Sequence, residues 1–590
     1  MVRIPNPAQN IKAVVILAVL AIVSSCESEQ KTETTEFKTH FEETQGAETA
    51  TYLQTVDFYI RLAKAFPEIN LQTMGETDSG YPLHIVTYNP DGDFNFNNIR
   101  EDKTIILINN GIHPGESDGI DATMMLYRDY ATGKLSPPEN TVLVTIPIYN
   151  IGGALNRNST TRANQNGPKA YGFRGNALNY DLNRDFIKAD TKNALAFYDI
   201  FHLVKPDFFI DNHVSNGADY QYTLTHLFTQ HNKLGGALGQ YLHEEVMPGL
   251  EQALKKQDWE ITPYVNVFNE PPEVGFSQFM DYPRYSTGYT TLFNTLGMMI
   301  ETHMLKPYEK RVRGTYALME NMVTITETDH EKIARLRAEA VFRHQSWSHY
   351  PVQWEIDSTR VSTLQFKGYE ADTLISEATG QPRLKYDPNR PFTKSVAYQN
   401  YYRPVDSVAV PKAYILKKGY TKIANLLKRN RINYRVLQQD TLINVESYRI
   451  DTFETSDFPY EGHYPHENTQ VDSGMKKMTF EQGDIWIPTD QEGIRYLLET
   501  LEPEARDSFF NWNFFDAILQ RKENFSPYVF EDEAAQMLRE RPDLRDSFQL
   551  KKENDEDFAA NGYAQLDWLF KRSEHYEPAH MQYPVYRVLK

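Results

Sequence analysis

The hydrophobic pattern changes period several times along the chain. Residues 51–66 carry apolar side chains at helical spacing. Residues 104–109, TIILIN, form a short unbroken apolar run rich in β-branched side chains, as expected of a strand buried on both faces. Residues 141–148, 207–211 and 297–300 repeat that signature, and residues 119–132, 195–204 and 234–254 between them return to helical periodicity. Strands alternating with helices predict an α/β domain over residues 51–335, with a mixed, largely parallel central sheet and helices on both faces.

Beyond residue 335 the pattern changes. Residues 335–344 read as a connecting helix, and residues 352–402 have more β character, with turns at Gly380 and Asp387-Pro388. Residues 413–416, 421–429 and 434–437 suggest a small β-α-β unit, and residues 493–545 are helix-rich. Residues 336–590 are therefore expected to form an accessory α+β region of one or two subdomains, without evident chemistry. His463 and His466 there read as surface residues, as does the helix face around His243.

The first 50 residues form another class of segment. Residues 13–23, AVVILAVLAIV, are preceded by Arg3 and Lys12 with no acidic residue before Cys26. Eleven apolar residues are too few to span a bilayer as a helix, which takes about 20, but suit the core of a signal peptide. Val23-Ser24-Ser25-Cys26 resembles the lipobox of bacterial lipoproteins. That resemblance implies that residues 1–25 are a signal peptide, that Cys26 is lipidated, and that the protein is extracytoplasmic and anchored to a bacterial membrane. Residues 26–50, rich in Glu, Thr and Gln, read as an acidic flexible tether.

Composition narrows the function classes. With 40% hydrophobic and 13% aromatic residues the chain is not a disordered one. A net charge of −19 disfavours a nucleic-acid partner, which calls for clustered Lys and Arg. The single Cys excludes an intrachain disulfide and a Cys-based zinc site.

The chemistry gathers where the strand candidates end. TIILIN runs into Asn110-Gly111-Ile112-His113-Pro114-Gly115-Glu116, DFFID into Asn212-His213, and GMMI into Glu301-Thr302-His303. In open α/β sheets ligands bind at the carboxyl ends of strands, and two imidazoles with one carboxylate can hold a zinc ion with a position left open. Pro114 and Gly115 put His113 and Glu116 on a tight turn rather than a helix face. The spacing alone is not specific, since His40-Phe41-Glu42-Glu43 satisfies it too.

Taken with Asp181-Leu182-Asn183-Arg184-Asp185, these motifs resemble the zinc metallocarboxypeptidases related to pancreatic carboxypeptidase A, over residues 51–330. The resemblance implies one zinc ion per chain held by His113, Glu116 and His213, with Asp181 behind His113. It implies hydrolysis of a peptide or related amide bond by a zinc-activated water, with Glu301 as general base. Asn183 and Arg184 would grip the terminal carboxylate of a peptide substrate. Arg162 is the first choice for the oxyanion arginine, with Arg157 and Arg174 in reserve, and Tyr285 and Tyr289 are both open as the tyrosine that covers the substrate. Asp185, where many members of the family have Asn, is expected to alter the charge of the pocket. Two alternatives remain. Gly115-Glu116-Ser117-Asp118-Gly119 matches the G-x-S-x-G pattern of serine hydrolases, with Ser117 as nucleophile. A non-catalytic peptide-binding lipoprotein is the other.

Overall fold

The computed structural model describes residues 37–344 and 346–590. They fall into two compact units. Among the described residues the first comprises residues 37–410, 421–433 and 489–500, and the second residues 411–420, 434–488 and 501–590. The segment read as a signal peptide, with Cys26, lies outside the described residues. No described helix is long and apolar enough to cross a membrane.

In the first unit the strands are β1 (Ile69–Glu76), β2 (Pro82–Tyr88), β3 (Thr104–Asn109), β4 (Thr141–Ile146), β5 (Phe208–Ser215), β6 (Leu224–Phe228), β7 (Ile261–Pro263), β8 (Phe276–Ser277) and β9 (Leu296–His303). All but β8 form one sheet in the order β1-β2-β4-β3-β5-β9-β6-β7. The central run β4-β3-β5-β9 is parallel. The β1–β2, β2–β4 and β6–β9 pairs are antiparallel, so the sheet is mixed. Every residue of β3, β4 and β5 is buried, which requires that both faces of the sheet be covered. The expected fold class is therefore the one observed. The four central strands and the helices Tyr52–Ala65, Asp118–Ala131 and Lys192–Val204 lie close to where the periodicity puts them. The expected helix over residues 234–254 is also present, as an unbroken helical run over residues 236–255 with one π turn at Leu242–Val246.

Two boundaries differ from expectation. Residues 37–50 are packed, not a tether. Thr39 caps a short helix, His40–Glu43, through a reciprocal bond with Glu42. Phe41 is buried, Glu42 Oε2 accepts from Arg128 Nη1 at 2.5 Å, and Ala50 N donates to Asp121 Oδ1 at 3.2 Å. A few apolar anchors and the half-buried Glu42–Arg128 pair fasten a segment whose overall composition is polar. The boundary expected at residue 335 falls inside one helix, Tyr308–His344, whose buried residues continue through Leu336 and Ala340. The first unit also keeps β10 (His349–Ile356), β11 (Ser362–Ile375), β12 (Pro382–Gln399) and β13 (Tyr402–Ala409). β10 pairs with β13, and β11-β12-β8 form a three-stranded sheet.

The second unit holds β14 (Ala413–Leu416), β15 (Arg435–Val436), β16 (Thr441–Thr455), β17 (His466–Phe480), β18 (Ile485–Pro488) and β19 (Gln582–Val588) in the order β15-β18-β14-β19-β16-β17. All its pairings are antiparallel. β14 and β15 are thus parallel to each other but separated by β18, and the helix Thr421–Arg429 between them groups with the first unit. Helices Pro527–Glu540, Pro542–Asn554 and Gly562–Phe570 share a small core around Phe530, Leu544, Leu569 and Phe570. His466 is buried, not superficial, with Nε2 3.1 Å from Asp516.

Candidate active site

The turn after β3 is shaped by close packing. Glu116 N donates to His113 O at 2.8 Å and closes it. A side chain at Gly115 would meet Arg162 Cδ at 2.5 Å, and one at Gly119 would meet Asn212 Cβ at 2.3 Å, so the turn and the following helix approach their neighbours as only glycine allows. His213 and Glu301 lie inside the last residues of β5 and β9, directly paired across the two strands.

One ligand atom from each of His113, Glu116 and His213 lies within 4.8 Å of the others, and all three residues are buried. His113 Nδ1 is 3.3 Å and His213 Nδ1 3.1 Å from Glu116 Oε2, which also accepts from Val214 N at 3.0 Å. Both rings turn Nδ1 inward, with the other nitrogen facing a second carboxylate. Asp181 Oδ1 is 2.8 Å from His113 Nε2, and Asp211 Oδ2 is 3.1 Å from His213 Nε2. Asp211 was not anticipated from sequence. It is fully buried, and Ser286 Oγ at 2.5 Å and Asn109 Nδ2 at 3.0 Å donate to it.

The electrostatics follow from this geometry. Burial works against ionised Glu116, but the positive charges of Arg162 and His113 and the bonds from both imidazoles hold its carboxyl well below the usual range. Asp181 is likewise lowered, with burial outweighed by His113, Arg174 and Arg184. Burial works against the His213 imidazolium, yet Asp211, Glu116 and Glu301 raise it well above an ordinary histidine. Glu301 goes the other way. Its burial lifts it to about 7, with Glu116 and Asp211 adding to the rise and His213 and Arg174 opposing it.

Part of this cluster lines one cleft of about 330 Å³. Its walls include His113, Glu116, His213 and Glu301, with Arg174, Asn183 and Arg184 alongside. Asn183 Oδ1 accepts from Ser286 N at 3.1 Å, leaving Nδ2 for the cleft. The Arg184 guanidinium lies 4.7 Å from the centre of the Tyr285 ring, which meets Phe279 edge-on. Tyr264, Asn266 and Phe268, on the loop after β7, complete the wall; no sequence signal singled them out.

Several expectations are corrected. Arg162 does not line the cleft. Its Nη1 pairs with Glu116 Oε1 at 2.9 Å and its Nε donates to Gln165 at 2.6 Å, so its guanidinium is occupied in holding Glu116. Arg174 does line the cleft, anchored on Asp181 Oδ2 through Nε at 2.9 Å and Nη2 at 2.8 Å, with Nη1 3.4 Å from His113 Nδ1. Arg157 donates to the backbone oxygens of Thr49 and Ala170. Of the two candidate tyrosines Tyr285 lines the cleft, while Tyr289 is fully buried and donates to Asn430 at 2.6 Å. Asp185 does not reach the cleft. It is buried among Lys188, Asp190 N and Thr191. Ser117 is no exposed nucleophile, since it is buried, sits at the start of a helix and has Oγ 3.1 Å from Tyr308 Oη. Its burial and its contact with Tyr308 weigh against the serine-hydrolase alternative.

No protein-family model matches the chain, and no curated protein matches its sequence. Among solved structures, a metallo-carboxypeptidase from Burkholderia cenocepacia is similar at 16% identity, over 46% of this chain and 68% of that one, with a TM-score of 0.34. Carboxypeptidase A from Helicoverpa armigera is similar at 12% identity, over 50% and 74%, with a TM-score of 0.35. Bovine thrombin-activatable fibrinolysis inhibitor, in complex with tick carboxypeptidase inhibitor, is similar at 13% identity, over 50% and 98%, with a TM-score of 0.34. Likeness at this level assigns no residue a role, and the chemistry of the cleft rests on its own geometry.

Proposed function

We propose that the protein is a zinc-dependent, carboxypeptidase-like metallopeptidase that removes residues from the free carboxyl end of a peptide or related amide. The observation that carries this reading is the convergence of two imidazole Nδ1 atoms and the Glu116 carboxylate in a cleft that also contains Glu301 and two arginines. Two nitrogens and one carboxylate oxygen, each imidazole backed by a second carboxylate, are a donor set that suits zinc. His113, Glu116 and His213 would hold the ion, in competition with the proton on His213. Bound there, zinc supplies Lewis acidity, acidifying water and polarising the scissile carbonyl.

The remaining work falls to the chain's own groups. Glu301 takes a proton from water at its carboxylate and passes it to the leaving amine. A carboxyl near 7 can do both close to neutral pH. Arg174 donates to the carbonyl oxygen as negative charge develops on it. Arg184 offers a planar fork to the terminal carboxylate, with Asn183 Nδ2 beside it and the Tyr285 ring fixing the guanidinium plane. In this reading Cys26 carries the lipid that anchors the enzyme on the extracytoplasmic side of a bacterial membrane.

The test is a peptide with a free carboxyl end against its C-terminally amidated twin. The free peptide should be cleaved about 10- to 100-fold faster, the value of one charge-assisted carboxylate contact. Equal rates would contradict the exopeptidase assignment, and binding of both without cleavage would favour the non-catalytic reading.

A further inference from the structure

The β11–β12 hairpin lies outside the main sheet, yet it grips both loops that border the cleft. The first loop, residues 216–222 after β5, supplies Asn216 to the cleft wall. Tyr220 bridges to Gly368, and Gln221 N donates to Lys367 O at 3.1 Å. Gln221 Nε2 donates to Gly368 O and to Phe392 O, each at 2.8 Å, and Lys367 N donates to Tyr222 Oη at 3.1 Å.

The second loop, residues 264–279, supplies Tyr264, Asn266, Phe268 and Phe279. Within it, Phe276 and Ser277 pair in parallel with Tyr398 and Gln399 of β12. Gln278 N donates to Gln399 O at 3.0 Å, Tyr386 Oη donates to Glu270 O at 2.8 Å, and Lys394 Nζ pairs with Glu273 at 3.0 Å. The two loops also bond to each other, Ala218 N donating to Val267 O at 3.1 Å.

Phe366 of β11 sits at the centre of this arrangement and is fully buried. Its ring lies 5.7 Å from Tyr222, 6.2 Å from Tyr220 and 5.9 Å from Phe276, so one side chain touches both loops. Phe366, Val396 and Tyr398 from the hairpin and Ala218, Val265 and Val267 from the loops share one apolar cluster. Loops of this kind would otherwise be the low-stability parts of the domain. The metal-site and proton-transfer residues are carried instead by β5, β9 and the turn after β3.

We propose that the β11–β12 hairpin is the fixed support of the cleft wall and that Phe366 is a positioning residue, holding the substrate-facing loops through Tyr220, Tyr222 and Phe276. It governs how tightly a substrate is held, not how fast the bond is broken. The kinetic part rests on the peptidase reading; the support itself does not.

The experiment pairs hydrogen exchange with kinetics on Phe366→Ala and Phe366→Leu in the full chain loaded with zinc. In Phe366→Ala, amides of residues 216–222 and 264–279 should exchange faster while β3, β5 and β9 keep their protection. KM for a C-terminally free peptide should rise about tenfold with kcat within about twofold, the signature of lost substrate binding. Phe366→Leu should recover most of both effects. Should Phe366→Ala fail to fold, Tyr386→Phe, which removes only the bond to Glu270, should quicken exchange in residues 264–279 alone. Unchanged exchange in both loops, or faster exchange that includes β5 and β9, would overturn the proposal, as would a fall in kcat that matches the rise in KM. If the wild-type protein cleaves no peptide, the peptidase reading fails, and the exchange pattern still decides whether the hairpin supports the loops.

Discussion

Buried charge occurs in both units of this protein, and the two instances differ in what they leave over. In the second unit Arg587 lies between Glu446 and Glu502, with Nε 3.0 Å from Glu502 Oε1, and Tyr414 Oη donates to that oxygen at 2.5 Å. Burial raises Glu502 even against the pull of Arg587. The guanidinium there is paired with two carboxylates and Tyr414 bonds one of them, while Glu502 Oε2 is left in the interior without a hydrogen bond among the described residues. In the first unit Glu116, Asp181 and Asp211 are also ion-paired and buried, but they orient two imidazole nitrogens toward a common point at the wall of an open cleft. Close beside them Glu301 is half-buried in the cleft wall with no hydrogen bond to its carboxylate among the described residues, and desolvation moves it to about 7. Buried charge alone is therefore no sign of chemistry. A carboxylate kept without a partner, beside ligand atoms that converge, is.

That contrast can be tested by substitution. Glu301→Gln should have the largest effect on rate, cutting turnover about 10³-fold while metal content and melting temperature stay near wild type. A loss of fold instead would make Glu301 another structural carboxylate like Glu502. Arg587→Met should do the reverse. It leaves Glu446 and Glu502 without their cation and should cost about 3–5 kcal/mol of stability by denaturant melting, with unchanged activity per folded molecule. Arg184→Gln should lower kcat/KM about 10- to 100-fold for a peptide with a free carboxyl end and leave the amidated twin unaffected. The smallest effect is on pH dependence. Glu301 works as a base only when deprotonated, so the rate should fall as pH drops through its pKa. The value is about 7 without a cation, and a nearby divalent ion lowers it, so the acid limb should sit at or below 7. In Glu301→Gln that limb should disappear from the residual rate.

Much of this site can be read from residue order alone, because the ligands follow apolar runs whose strand character is plain. His113 and Glu116 come just after TIILIN, and His213 and Glu301 close two more such runs. What was hidden depends on which way a side chain faces after folding. Order along the chain favoured Arg162, but Asp181 draws Arg174 to the cleft while Glu116 and Gln165 hold Arg162. Tyr289 matches Tyr285 in type and region, and only packing sends one into the core. Asp211 reads as the end of a strand because its partner nitrogen belongs to a residue two positions on, on the same face of β5. The hairpin carries no chemistry of its own, and its pairing with Phe276 and Ser277 is set by contacts far apart in sequence. The anchoring of residues 37–50 was missed for a related reason, since single buried side chains such as Phe41 hardly alter the composition of a polar stretch.

The central claim is that one divalent cation is held jointly by His113, Glu116 and His213. Anomalous diffraction across the zinc absorption edge, from crystals of protein supplied with one equivalent of zinc, tests it most directly. A single strong peak is expected within bonding distance of His113 Nδ1, His213 Nδ1 and a Glu116 carboxylate oxygen. A peak elsewhere, or none between these three side chains at full loading, would contradict it.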